Sequence, residues 1–466
     1  MGDSRIVHNG NEQQQARRAV LAISLAAAFL TPFMVSSVNI ALPTIGAELS
    51  MGAVALSWVT TAYLLCSAVF LIPLGKIADT CGRKRVFFWG MFIITLSALF
   101  SAFSTSGGQL IVTRILHGVG AAMIFGTSMA MLTSVYPPHQ RGKMLGINVS
   151  STYTGLMLGP VIGGIITRHF GWRSLFLVNI PIGIAVLILV RTAIRTEWRE
   201  ENQGTFDVAG AVLYGSSIAL LLSGFSRLNT QIGVLCTAAG VIGTIIFIVF
   251  EQRVASPVLP VHLFRNNRVF AFSNLAALIN YSATYAVGFM MSLFLQYVKG
   301  LPPDRAGMLM VVQPAVMVLF SPFAGRLSDR MEPRVPASAG MGLIVVGLVL
   351  LSFLGPASSI LRIIVNLMLL GLGFALFSSP NTSAVMGSVD RTRYGIASAT
   401  VGTMRLLGQV LSMGITMLLM SITIETGRIT PERAGDFLGV MRSASLLFGG
   451  LCVVGVVVSL VRGTVR

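Results

Sequence analysis

Charge is scarce in this chain. Asp, Glu, Lys and Arg together make 11% of the 466 residues, and only 16 side chains are acidic. So little ionised surface cannot cover soluble domains of that length, which places the chain in a bilayer. Cysteine is equally sparse: Cys66, Cys81, Cys236 and Cys452 stand far apart, three of them inside apolar runs, so neither a disulfide framework nor a metal cluster is indicated. Also missing are a phosphate-binding Gly-Lys-Ser/Thr loop, a His-Glu-x-x-His pair and a nucleophile elbow. ATP drive and the commoner hydrolytic chemistries lose their support, and no cofactor is implied.

What is present is apolar: 54% of residues are hydrophobic and the mean hydropathy is +0.81. A spanning helix needs about 20 mostly apolar residues. Segments of that kind begin near residues 19, 55, 86, 110, 145, 174, 208, 232, 270, 306, 337, 360, 395 and 437. The reading is an all-α polytopic membrane protein with about fourteen spans. The first apolar run follows a polar stretch, Met1 to Arg18, and exceeds a signal-peptide core, so it is expected to stay as an anchor.

The net charge of +17 would suggest nucleic acid in a soluble protein. Here the cations sit in short segments between apolar runs, so topology explains them and nucleic acid is discounted. One set of alternate segments holds most of them, including Arg17 and Arg18, Lys76 with Arg83 to Arg85, Arg141 and Lys143, Arg191 to Arg199, Arg326 to Arg334 and Arg462. Positively charged loops stay cytoplasmic, so both termini are expected there, in a multi-pass protein of the plasma (inner) membrane.

The sequence also repeats itself. Gly75-Lys-Ile-Ala-Asp79 recurs as Gly325-Arg-Leu-Ser-Asp329, and Gly118-Val-Gly-Ala-Ala as Gly371-Leu-Gly-Phe-Ala. Two six-helix bundles follow, at 19–193 and 270–461, with a linker at 194–269 carrying two inserted helices and short tails at 1–18 and 462–466. Parallel repeats with a site between them near the midplane are how many secondary transporters alternate access.

The segment after the second span, Gly75 through Asp79, Gly82, Arg83, Lys84 and Arg85, resembles the signature loop of the major facilitator superfamily. Its glycines suit a tight turn, and Asp79 can pair with Arg83 or sit at a neighbouring helix N-terminus. Leu110-Ile-Val-Thr-Arg114-Ile-Leu-His117-Gly118-Val-Gly120 is similar to the family's motif for proton-coupled members, which commonly have Gln where His117 stands. A charge buried in a span is expensive and usually functional, the alternative being that Arg114 braces backbone carbonyls. Gly155-Leu-Met-Leu-Gly159-Pro160-Val-Ile-Gly163-Gly164 looks like the family's antiporter motif, the alternative being a small-residue packing face. Together with Gly171 to Pro181 and Val38 to Pro43, these stretches resemble the fourteen-span drug:proton antiporter branch.

That resemblance implies alternating access and proton-coupled export of small amphipathic molecules by a monomer, with Asp79, Arg83, Arg114, His117, Gly155, Gly159 and Pro160 in coupling and gating. One departure stands out: the branch often has an acidic residue in the first span, and this chain has Met34. No span carries a carboxylate near its middle, whereas Arg114 and Arg405 lie inside spans. Holding a cation in low dielectric calls for a buried anion, so neutral, zwitterionic or anionic amphiphiles are favoured. Aromatic faces at Tyr281, Tyr285 and Phe289 are the alternative means of holding a cation. By depth alone, the pocket is expected to use Asn39, Tyr63, Asn148, Thr152, Asn280, Tyr281, Tyr285, Arg405 and Gln409. Competing readings are a metabolite symporter or facilitator and, in another class, a membrane-embedded receptor or enzyme.

Overall fold

The computed structural model describes residues 3–194, 196–199, 207–225, 227–254, 261–390, 394–424 and 433–464, and among them every regular element is a helix. Only helices or closed barrels satisfy every backbone N–H and C=O within hydrocarbon. In chain order they are α1 (Asp3–Glu48), α2 (Ala53–Cys81), α3 (Arg83–Ala102), α4 (Gly107–Val135), α5 (Pro138–Phe170) and α6 (Arg173–Ala193). Next come α7 (Val208–Phe225), α8 (Gln231–Glu251) and the short α9 (Val261–Asn266). The last set is α10 (Arg268–Leu293), α11 (Pro303–Met310), α12 (Val312–Arg330), α13 (Arg334–Leu351), α14 (Ile360–Gly387), α15 (Tyr394–Thr423) and α16 (Ala434–Val461).

Among the described residues, thirteen helical stretches are long and apolar enough to cross a membrane, α11 and α12 together making one of them. The sequence led us to expect about fourteen. The remaining expected span corresponds to α7, an apolar helix of 18 residues whose described apolar part is Val208–Leu221. Helix α1 begins at Asp3, within the polar N-terminal tail, and its apolar part starts at Ala16.

The internal repeat reappears as packing. In the first half α1 packs on α5, α2 and α3 on α4, and α3 on α6; in the second half α10 packs on α15, α12 and α13 on α14, and α13 on α16. Two six-helix bundles result, with α7 and α8 paired beside them and α7 touching α2 and α15.

The halves meet through α1 with α10, α2 with α15, and α5 with α11 and α12. Pro43 explains part of this contact. A proline inside a helix has no N–H, so the carbonyl four residues earlier loses its partner. Here that carbonyl belongs to Asn39, and Ser292 Oγ of the other half donates to it at 2.6 Å. Beyond Ser292 the chain leaves α10 through a π turn, Phe294–Val298, where Gln296 Nε2 donates to Ile40 O at 2.9 Å and Tyr297 OH to Pro43 O at 3.3 Å. Arg168 on α5 adds a fork onto Asp304 on α11, 2.7 and 2.8 Å to its two oxygens. All of these lie at the end of the bundle opposite the N-terminus of α1. At the near end Ser398 Oγ donates to Met129 Sδ at 3.6 Å.

The segment expected as a loop after the second span is mostly helix. Helix α2 continues through Cys81, and only Gly82, at φ 112°, makes the turn. Gly75 is inside the helix and packs against Gly126 of α4. Only the second of the two glycines needs conformational freedom; the first needs its small size.

Candidate functional site

Arg114, on α4, is fully buried. Its Nε donates to the carbonyl of Val59 on α2 at 3.0 Å, and its guanidinium carbon sits 4.8 Å from the centre of the Tyr63 ring. Both Nη atoms lack a partner among the described residues. Leaving two N–H-bearing atoms of a buried cation unmatched costs free energy, so the arrangement suits a visitor with acceptors. His117, one turn along α4, meets the edge of Tyr63 with ring centres 5.5 Å apart, and its Nδ1 also has no partner. It lines a small cavity inside the first bundle together with Thr31, Met34 and Asn179. Met34 is therefore not idle where an acid was expected: its Sδ accepts from Asn179 Nδ2 at 2.6 Å.

Arg405, on α15, forms a second centre. Its guanidinium carbon lies 5.2 Å from the centre of the Tyr281 ring, and its Nε has no partner among the described residues. Tyr281 in turn meets Phe374 edge to face at 5.5 Å. Tyr153 approaches from α5 in the other half, close enough to interact electrostatically with Arg405, and its hydroxyl is 3.4 Å from Ser378 Oγ on α14.

The two centres are linked through α10. Tyr285 approaches Arg114 while Tyr281 covers Arg405. Residues four apart share a helix face and are separated by about 6 Å of rise. One arginine from each half thus interacts with one turn of α10, each lying on the ring of a tyrosine from its own half and interacting electrostatically with one from the other.

The remaining candidates are placed as follows. Asn39 Oδ1 accepts from Thr60 Oγ1 at 3.0 Å, and Asn39 lies beside Tyr285. Asn280 is fully buried, with neither side-chain polar atom partnered among the described residues. Gln409 is half-buried one turn after Arg405. Asn148 turns to α1, donating to Ser24 O at 3.1 Å, and Thr152 donates to Asn148 O within its own helix at 3.3 Å. Asp79 takes the first of its two expected partners: Arg83 Nε donates to Asp79 Oδ1 at 2.7 Å across the Gly82 turn, and Arg83 Nη1 reaches Ser134 Oγ of α4 at 3.0 Å.

On α5, Gly155, Gly159 and Gly163 let α1 approach so closely that a Cβ at Gly155 would strike the Phe29 carbonyl and one at Gly159 would strike Ser36. Pro160 is buried, and its carbonyl abuts Gly307 of α11 across the two halves. Tyr153, Ser378 and the Arg168–Asp304 pair escaped the sequence reading. Only the neighbourhood of Tyr153 to Thr152 on the same helix hinted at any of them.

The chain matches the Major Facilitator Superfamily profile over residues 24–413 and 273–464. It belongs to that superfamily. This major facilitator protein is 30% identical over 444 residues to a riboflavin transporter, RibZ, of Clostridioides difficile, covering 94% of this chain and 96% of the other. It is 30% identical to the multidrug resistance protein Stp of Mycobacterium tuberculosis, covering 81% and 71% of the two chains. The cephamycin export protein CmcT of Amycolatopsis lactamdurans is 31% identical, covering 85% and 84%. Among solved structures, a bacterial homologue of the lysosomal transporter Spinster, inward-facing and unoccupied, superposes with a TM-score of 0.69 at 16% identity, covering 96% and 97%. The nucleoside transporter NupG gives 0.65 at 12% identity, covering 96% and 99%, and both likenesses speak for the fold alone. The chain is thus a multi-pass plasma-membrane protein of a transporter family whose members carry small molecules.

Proposed function

We propose that this major facilitator protein is a proton-coupled antiporter that exports small amphipathic molecules by alternating access, favouring substrates with negative charge or strong hydrogen-bond acceptors. The observation that carries this reading is that Arg114 and Arg405 interact with Tyr285 and Tyr281 on one turn of α10, with both Nη atoms of Arg114 and Nε of Arg405 unpartnered among the described residues. Acceptors on a bound molecule would satisfy both cations at once, while the tyrosine faces take its apolar rings. Arg114 and His117 act as the coupling centre, their unpartnered nitrogens one turn apart on α4 beside Tyr63. Asp79 and Arg83 hold the end nearest the N-terminus, and the glycines with Pro160 set how tightly the opposite end closes. Relatives named for multidrug resistance and cephamycin export support the export direction.

The relative named a riboflavin transporter, matched over 94% of this chain, favours a second reading: a symporter or facilitator for one acceptor-rich metabolite. Proteoliposomes with an imposed pH gradient separate the two when challenged with matched anionic, neutral and cationic amphiphiles and with riboflavin. Gradient-driven movement of several anionic or neutral amphiphiles, abolished by a protonophore, is the expected result. Movement of a single metabolite that ignores the gradient would establish the facilitator.

A further inference from the structure

At the end of the molecule nearest the N-terminus, on its outer wall, a groove of about 340 Å³ opens between α3 and α6, away from the Arg114 and Arg405 site. It is lined by Lys84, Arg85, Phe88, Trp89, Arg191 and Glu197. The first turns of α3 build it: Lys84 with Phe88 and Arg85 with Trp89 stand four apart, on one helix face, while Arg191 closes it from the last turn of α6.

Glu197 does not neutralise these cations one for one. Gly82 gives the start of α3 no side-chain cap, and Glu197 serves instead, its Oε1 accepting from the backbone N–H of Lys84 at 2.8 Å. The neighbouring Trp198 carbonyl accepts from the N–H of Arg83 at 2.9 Å. Lys84 Nζ is spent on the Ile194 carbonyl. Arg85 and Arg191 are exposed and have no ion-pair partner among the described residues.

The aromatic lining fixes the depth. Trp89 is 51% exposed and meets Phe88 and Phe92 edge to face, and tryptophan at a span's end marks the headgroup level. Below it an exposed apolar stripe continues along α3 through Phe92, Leu96 and Phe100. Cations at the mouth above an apolar track match one molecule in charge and shape. We propose that this groove holds the phosphate of an anionic phospholipid from the leaflet on the N-terminal side, with Arg85 and Arg191 on the phosphate and an acyl chain along α3. Basic pockets between helix ends are the usual seats for such headgroups.

The test uses Trp89 as the reporter. The full chain is reconstituted in phosphatidylcholine vesicles containing brominated phosphatidylglycerol or, in parallel, brominated phosphatidylcholine, and tryptophan quenching is titrated. Trp89→Phe defines what the other tryptophans contribute. The expected result is an apparent preference of about five- to tenfold for the anionic lipid at Trp89. Arg85→Gln with Arg191→Gln should abolish it, and Arg85→Lys with Arg191→Lys should retain most of it. Unchanged melting temperatures in all variants show that the fold is intact; where the glutamine pair lowers it, the lysine pair against wild type at high salt decides, since a charge-held lipid must lose its preference there. Equal quenching by both lipids, or a preference that survives the glutamine pair, would overturn the proposal. So would displacement by soluble glycerol phosphate at matched concentration, which would make this a site for a free anion.

Discussion

Arg405 carries the sharpest consequence at the scale of single residues. A charge-assisted hydrogen bond contributes about 1.5–3 kcal/mol, which is roughly tenfold or more in affinity. Arg405→Gln should therefore weaken anionic substrates by about that factor and leave matched cationic ones unchanged, with binding and melting temperature measured together. A loss shared by all substrates alongside a lower melting temperature would mean that Arg405 only braces helices. Asp79→Asn removes the negative charge that strengthens the Arg83 bond, so transport should fall by about tenfold while ligand affinity holds. Equal transport by mutant and parent at matched expression would count against the latch. Both charged residues could be read from the sequence because a charge in or beside a span is conspicuous. Depth along a span was a weaker guide, since it says nothing about which way a side chain turns. Asn148, chosen by depth, stitches α5 to α1, while Tyr153, one position after Thr152, crosses to the other half.

At the scale of elements, the proposed mechanism gives α5 the task of closure. Its glycine face seats α1, and its proline carbonyl seats Gly307. Pro160→Ala restores an N–H and removes a ring that a helix interior accommodates at a cost of about 3 kcal/mol, so the melting temperature should hold or rise. Coupling should nevertheless fall, seen as substrate leaking down its own gradient in sealed vesicles. A tight proton-driven gradient in the mutant would reduce the motif to packing. The motif was legible as a string of small residues, but not its two partners, because a glycine's spacing gives a smooth face without naming what lies on it. The segment around Gly82 shows a similar limit: its basic residues were legible, and its helical continuation through Cys81 was obscured by the glycine and threonine within it.

At the scale of the whole molecule, the self-similarity of the sequence anticipated the packing, because the same apolar faces recur in the same order and must find equivalent partners. What the repeat could not reveal is the contact between halves, where the equivalence breaks down. Arg168 and Asp304 are such a contact, and an exposed ion pair is worth about 0.2–1 kcal/mol. Arg168→Ala should shift the balance between closed and open states only slightly, less so at high salt, as read by thiol labelling at the end opposite the N-terminus.

The Asn39 carbonyl should weigh more. Pro43 deprives it of a helical donor, and Ser292 supplies one from the opposite half. Ser292→Ala leaves that acceptor unmatched in the closed state, at about 1–3 kcal/mol, so labelling at that end should rise several-fold more than with Arg168→Ala. When the halves part, the hydroxyl leaves with α10, and water is what can take its place. On the proposed alternating access, opening this end is an act of hydration as much as of movement: each cycle would wet the Asn39 carbonyl and dry it again. The rate of alternation should accordingly slow under an osmolyte too large to enter the cleft, and the slowing should be smaller in Ser292→Ala, where the carbonyl gives up no bond on opening.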